Sequence, residues 1–460
     1  MKLKNTLILL VVFIGLLLFV LFVEKKPPAA GAKTEEKLVA VTSADVQKLT
    51  LKRPSETLTF KRDDKGEWMI VEPIEAKADT FEVNGLVDAF ADLKIDRVVE
   101  KTGGDPKKYE IPKIEVSLWV KGRDKPVRVL LGPPNKIDAT VYAQKEGDPR
   151  IVLLPSTLTT PLEKKLFDFR QKDVFKFETK DVAAISVAAK GARWEAAKKD
   201  DEWMLLAPLK ALAKDGKMIG LLDSLSGLKA KEFAAEDKKA EDLKKYGLDK
   251  PEYTVTLKMP GASKEMVFAF HKADDKTYVT TSQSTKIIIP EADVLPDLEK
   301  KPADLRESKV AAFNSWQAGK LVLKKGPLAL TITKAPNDKW YFDAAQKEEA
   351  DASKVDSFIR KIESLVATEF VDGPKSLGEF GLDKPEAEVT VWTKDTVSTP
   401  PVENSFAVLV GKTDKDKKQT VLKNARFDYL FKVDSAFLDE FPKDKKDWIP
   451  PPPAKDVTKK

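Results

Sequence analysis

His271 is the only histidine in 460 residues, and there is no cysteine. One copy of the chain therefore cannot assemble a Ser-His-Asp triad, an imidazole acid/base pair, a His-based or thiolate metal site, or a cysteine nucleophile. Disulfides and the lipidated cysteine of a bacterial lipoprotein are excluded with them. Carboxylates remain. The pairs Asp63-Asp64, Asp200-Asp201 and Asp274-Asp275 have the chemistry to hold a hard cation or to act as a glycosidase acid and base. Each lies beside a lysine (Lys65, Lys199, Lys276) in a turn-like stretch, so solvated hairpin tips are expected instead. Ser226-Gly227-Leu228-Lys229 has the Ser-x-x-Lys spacing of serine acyl-transferases but falls in an apolar helical period, without a Ser-Asp-Asn partner. The chain has no Walker loop, Gly-x-Gly-x-x-Gly turn or Gly-x-Ser-x-Gly elbow. His271 ends an alternating run beside Lys272 and reads as a surface residue. The expectation is a protein that is not an enzyme, with no catalytic, cofactor-binding or metal-ligating residues. An Asp/Glu-dependent hydrolase is the remaining catalytic alternative.

The elements around these residues repeat. Gly66-Glu67-Trp68-Met69-Ile70, Asp201-Glu202-Trp203-Met204-Leu205 and Asp338-Lys339-Trp340-Tyr341-Phe342 align, with their tryptophans 135 and 137 residues apart. Counting 15, 18, 19, 22 and 25 residues beyond each Trp gives Val83, Leu86, Val87, Phe90, Leu93; Met218, Leu221, Leu222, Leu225, Leu228; and Val355, Phe358, Ile359, Ile362, Leu365. All fifteen are apolar at helical spacing, which predicts one amphipathic helix per repeat. Recurrence at one point of every repeat makes each Trp a core anchor in expectation, with a ligand platform as the other use of such a ring.

After each helix comes a turn signal. Tyr246-Gly247-Leu248-Asp249-Lys250-Pro251 and Phe380-Gly381-Leu382-Asp383-Lys384-Pro385 nearly coincide, and Tyr109-Glu110-Ile111-Pro112 is a decayed copy. An aromatic anchor, a glycine free to take positive φ and a proline that ends helix make a rigid turn into a strand. Ile114 to Val120, Tyr253 to Leu257 and Ala387 to Trp392 alternate as half-buried strands do. Upstream of Trp340 the runs Leu321 to Lys324 and Leu328 to Lys334 are separated by Gly, Pro, Asn and Asp turns, the pattern of antiparallel hairpins. The fold class that follows is α+β: an N-terminal transmembrane helix, then three tandem repeats, each an antiparallel sheet packed on an amphipathic helix. The boundaries are 1–23 anchor, 24–37 linker, 38–172 repeat 1, 173–309 repeat 2, 310–449 repeat 3 and 450–460 a Pro-rich disordered tail.

The anchor rests on Leu7 to Val23, seventeen residues interrupted only by Gly15. At about 1.5 Å per residue they span roughly 26 Å, enough for a bilayer core once flanking lysines snorkel. Glu24, Lys25, Lys26, Pro27 and Pro28 separate the run from Ala30-Gly31-Ala32, whereas a cleaved signal peptide ends directly at its small-residue site. Lys2 and Lys4 favour a cytoplasmic N-terminus. The expected location is the inner membrane, single-pass, with the bulk of the chain periplasmic or otherwise extracytoplasmic. The 80 basic residues are interleaved with 74 acidic ones for a net charge of +6, and only eleven of them are Arg. This is a solvated surface, so no nucleic-acid partner is expected. The stretch Trp448-Ile449-Pro450-Pro451-Pro452-Pro453 reads as polyproline II.

The Trp strand, the acidic residue before the helix (Asp79, Asp351) and the Tyr-Gly-Leu-Asp-Lys-Pro turn resemble the bacterial family called domain of unknown function 4340, in three copies. Lys214 departs from that pattern, and repeat 1 lacks its glycine. The resemblance implies a membrane-anchored envelope protein, encoded in some bacteria beside ABC transporters similar to those of gliding-motility systems. It brings no catalytic residues. The functional expectation is a non-enzymatic extracytoplasmic scaffold or accessory subunit, with the membrane and an envelope protein as partners and no cofactor. The alternative is a module binding an envelope lipid, glycan or peptide in a groove between repeats.

Overall fold

A computed structural model describes residues 36–451 apart from 262–263, 344, 375 and 396–401. These residues fall into two compact units that divide between Lys172 and Asp173. The first holds repeat 1; the second holds repeats 2 and 3. Each repeat is one nine-stranded sheet, and all three sheets have the same strand order. The first strand of the repeat lies inside the sheet, next to the central sixth strand, and strands two to four meander outward from it to one edge. The sixth strand pairs antiparallel with the first on its other side, as in Leu49 opposite Leu118 and Leu321 opposite Val391. Strands six to nine then meander to the far edge, where the fifth strand closes the sheet by pairing with the ninth.

The helix stands in the sequence between strands four and five, so it carries the chain from one edge of the sheet to the other. Helix α1 is Thr80–Ala91, α2 is Asp215–Ser226 and α3 is Ala352–Ser364. All fifteen residues of the apolar series are buried. The last of each series, Leu93, Leu228 and Leu365, lies just past its helix, so the helix is about a turn shorter than the period suggested. The acidic residue before the helix is an N-cap. Asp79 accepts from the amides of Phe81 and Glu82, and Asp351 from those of Ser353 and Lys354. Each satisfies donors that the first helical turn leaves open. Lys214 holds the same place before α2 and makes no side-chain cap.

Trp68, Trp203 and Trp340 are all buried, at 1%, 2% and 1% exposure, as core anchors should be. Trp68 Nε1 donates to Asn84 Oδ1 at 2.8 Å and Trp340 Nε1 to Asp356 Oδ1 at 2.9 Å. Both acceptors stand sixteen residues beyond their Trp, on the helix. In repeat 2 that step falls on Ile219, which has no acceptor to offer.

The turn after the helix explains the departure at Glu110. Gly247 and Gly381 are left-handed, with φ of 71° and 70°, and Glu110 takes the same conformation at φ 53°. A Cβ at Gly247 would meet the His271 ring at 2.3 Å, and one at Gly381 would meet Lys412 Cγ at 2.8 Å. Repeat 1 has Gly132 at the position that His271 fills in repeat 2, so a side chain at Glu110 has room. Gly132 and Gly411 in turn lie against the carbonyls of Tyr109 and Phe380, where a Cβ would approach to 2.3 and 2.2 Å.

Sheet outweighs helix more than expected. The fourth strand of repeat 1, Ala76–Lys77, is too short to show a period, and the fifth, Arg97–Glu100, is a partly exposed edge with no alternation. Both were illegible for those reasons. Pairing also begins earlier than Leu38, with Lys37 opposite Lys94 and Ile95 N donating to Glu36 O at 2.8 Å. At the other end Trp448 belongs to the core of repeat 3. It is 4% exposed, packs 5.3 Å from the Phe358 ring, and its carbonyl accepts from Asp351 N at 2.7 Å. The polyproline reading therefore begins too early by that residue. The expected anchor at 1–23 and the tail beyond Pro451 lie outside the described residues. Among the described residues no helix is long and apolar enough to cross a membrane.

Candidate functional site

The three acidic pairs lie where turn chemistry placed them, exposed between consecutive strands. Asp63 Oδ1 accepts from the amides of Lys65 and Glu67, both at 2.9 Å, and so stabilises its own hairpin. Asp200, Asp201 and Asp274 have positive φ at their tips. Among the described residues no three His, Asp or Glu side chains cluster as metal ligands. Ser226 Oγ donates to the carbonyl of Asp223, a helix-end contact without catalytic geometry. His271 is half-buried against Gly247, more enclosed than the surface position expected of it.

The structure adds two features within the second compact unit that were not singled out from the sequence. The first is a junction. Arg306 follows the short helix Pro302–Leu305 at the end of repeat 2, and its side chain is 2% exposed. Its guanidinium lies 3.7 Å from the ring centre of Phe370 and 3.9 Å from that of Tyr429, both in repeat 3. Its two terminal nitrogens reach the two oxygens of Asp372 at 2.8 and 3.1 Å. The two rings stand at 75° to each other, so the guanidinium sits in the corner they form, within cation–π reach of both and ion-paired to Asp372, a use of Arg that an ammonium does not reproduce. Burial pushes the Tyr429 phenol above its ordinary range, and its oxygen accepts from Leu212 N at 3.4 Å. The buried apolar residues of repeats 2 and 3 form one continuous cluster. A signal existed: Asp168-Phe169-Arg170 and Asp304-Leu305-Arg306 end the first two repeats, whereas Asp447-Trp448-Ile449 ends the third.

The second feature is a groove of about 580 Å³ where repeat 2 meets repeat 3. Repeat 2 contributes Asp200 and Glu202 from one hairpin, and Arg426 of repeat 3 crosses to Glu202, with Nη1 3.4 Å from Oε1. Asn314 and Gln317 on the turn entering repeat 3, with Asn404 and Ser405 on one of its strands, complete a polar wall. Phe313 and Phe406 pack against each other beneath, ring centres 5.1 Å apart. On the same turn as Asn314 and Gln317 stands Trp316, 68% exposed while most of the other tryptophans are packed away. The groove assembles residues more than two hundred positions apart, and no local pattern announces it.

Among curated proteins no relative matches this chain. Solved structures to which it is similar include the DNA polymerase III subunit beta from Pseudomonas aeruginosa, at 7% identity over 86% of this chain and 93% of that one, with a TM-score of 0.16. The DNA polymerase sliding clamp from Pseudomonas aeruginosa with ligand follows at 8% identity, 86% and 92% coverage and a TM-score of 0.15. Scores that low carry no argument about fold or function. A family model described as domain of unknown function (DUF4340) matches residues 68–241, 203–377 and 340–452. Each match begins on one of the three anchor tryptophans, so the family unit starts in the middle of the structural repeat. The chain belongs to the domain of unknown function 4340 family, in three tandem copies.

Proposed function

We propose that the protein is a non-enzymatic, membrane-anchored extracytoplasmic scaffold or accessory subunit, serving an ABC-type transport complex in the inner membrane. The observation that supports it most is the Arg306 junction. Arg306, the most deeply buried charge among the described residues of the second unit, holds one repeat to the next, which is the use a protein makes of such a group when its product is a stable surface. Supporting it from the sequence are the Leu7 to Val23 run and a side-chain inventory with one His and no Cys. A retained anchor would hold the repeats at high effective concentration beside a membrane partner. In spheroplasts, added protease should digest the repeats, and the purified mature protein should begin at or near Met1. A chain lacking residues 1–37 should fail to complement a deletion. Full complementation by that soluble chain, or protection from protease, overturns the reading.

One observation favours a second reading, a module that binds an envelope ligand between repeats. The groove at Glu202 and Arg426 lies within one compact unit and has a volume inside the roughly 300–1,000 Å³ usual for small-molecule sites. Such a module would keep its function when the carboxylates of the other hairpin tips are changed to amides, since none of them would move a proton.

A further inference from the structure

We propose that the groove between repeats 2 and 3 is a binding site for a neutral, hydroxyl-rich oligosaccharide. This rests on the second reading above and names the ligand class. The lining decides among chemistries. Asn314, Gln317 and Asn404 carry amides and Ser405 a hydroxyl, and these groups both donate and accept, as sugar hydroxyls do. Among the described residues no protein group hydrogen-bonds these four side chains; Asn314, Asn404 and Ser405 are exposed and Gln317 is half-buried. A lipid tail is disfavoured because the apolar floor is nearly covered, with Phe313 9% and Phe406 8% exposed. An anion is disfavoured because two carboxylates, Asp200 and Glu202, face one guanidinium, Arg426, which Glu202 already engages. Extended peptides are held mainly by sheet edges through main-chain bonds, and the wall strand Val402–Asp414 is already paired on both sides in its sheet.

The equatorial hydroxyls of a pyranose ring suit the amides of this wall. The Glu202 and Arg426 pair spans the groove from one repeat to the other, so a ligand bound there would touch both repeats and report on the junction.

The test uses the full chain in lipid nanodiscs, free of detergents with sugar headgroups. Maltotetraose, cellotetraose and chitotetraose are titrated by calorimetry and by tryptophan fluorescence. At least one should bind saturably at a single site, and the Asn314→Ala/Asn404→Ala pair should weaken it about tenfold or more without altering the melting curve. Failure of all three sugars to saturate overturns the inference, as does binding that this double variant leaves unchanged. A tetrapeptide mixture and inositol phosphate are titrated in parallel. If one of these binds and the Asn314→Ala/Asn404→Ala chain loses it while the sugars do not bind, the ligand class is wrong and the groove reading survives. If nothing binds, both fall.

Discussion

The start of helix α2 in repeat 2 and the start of α3 in repeat 3 do the same job with different fastenings. In repeat 3 Asp351 caps the helix and Asp356 takes the indole proton of Trp340. In repeat 2 the corresponding residues are Lys214 and Ile219: the cap is missing, the indole acceptor is missing, and Ile219 is 49% exposed. A hollow of about 250 Å³ lies beside these positions, its lining including Trp203, Ile219, Asp201 and Asp215. Yet Met218, Leu221, Leu222 and Leu225 are as buried as their counterparts. Apolar packing is thus enough to place the helix on its sheet, and the polar fastenings refine a placement already made. Repeat 2 has a further support that is not local, because Arg306 at its end is clamped in repeat 3.

The comparison is broken most decisively at what the repeats share. Trp68→Ala, Trp203→Ala and Trp340→Ala should each cost about 3–5 kcal/mol in urea denaturation, since each indole is almost wholly buried. A cost below 1 kcal/mol at any of the three would remove that residue from the anchor role. Next in size is Arg306→Ala, which should cost about 3 kcal/mol and let repeat 2 unfold before repeat 3, followed by site-specific fluorescence in each repeat. Arg306→Lys should recover little, because a point-like ammonium cannot contact both rings and the Asp372 carboxylate at once as the broad guanidinium does.

The polar fastenings come next. Trp68→Phe and Trp340→Phe strand an acceptor on the helix, so each should cost about 1 kcal/mol more than Trp203→Phe. Ile219→Asp should rebuild the missing bond and stabilise repeat 2. The caps are smaller: Asp79→Ala and Asp351→Ala should each lose about 1 kcal/mol, while Lys214→Asp should gain a similar amount. The smallest effect is one of pH. Hydrogen bonds from the Ser353 hydroxyl and the amides of Lys354 and Ser353 hold the Asp351 carboxyl below its usual range. A depressed carboxyl stabilises the fold above its unfolded pKa of about 3.9 and loses that contribution as pH falls through the folded value. The stability gap between the native chain and Asp351→Asn should therefore be steady near neutrality and close below about pH 4. A gap unchanged at low pH would mean that the carboxylate charge is not what the cap uses.

The three-fold repeat, the helix of each copy, the anchor tryptophans and the turn before the sixth strand were all legible because they are local. A helix that must bury one face shows its period in sequence, and a turn needing positive φ or an end to helix shows its Gly or Pro. Asp79 and Asp351 stood out in the sequence only as the acidic residue of the family pattern, and the structure shows them to be N-caps acting on amides two and three residues away. What the tertiary structure alone decided is which distant strands meet. The nine-stranded order places the fifth strand beside the ninth, and a two-residue strand such as Ala76–Lys77 exists only because its neighbour is there to pair. For the Arg306 clamp the linear chain shows only the Asp-x-Arg ending that repeats 1 and 2 share, not the partners Phe370, Asp372 and Tyr429, and the groove at Asp200, Asn314, Asn404 and Arg426 draws on residues with no shared period or spacing. Their positions follow from two sheets packed into one core, and packing is a property of the folded chain.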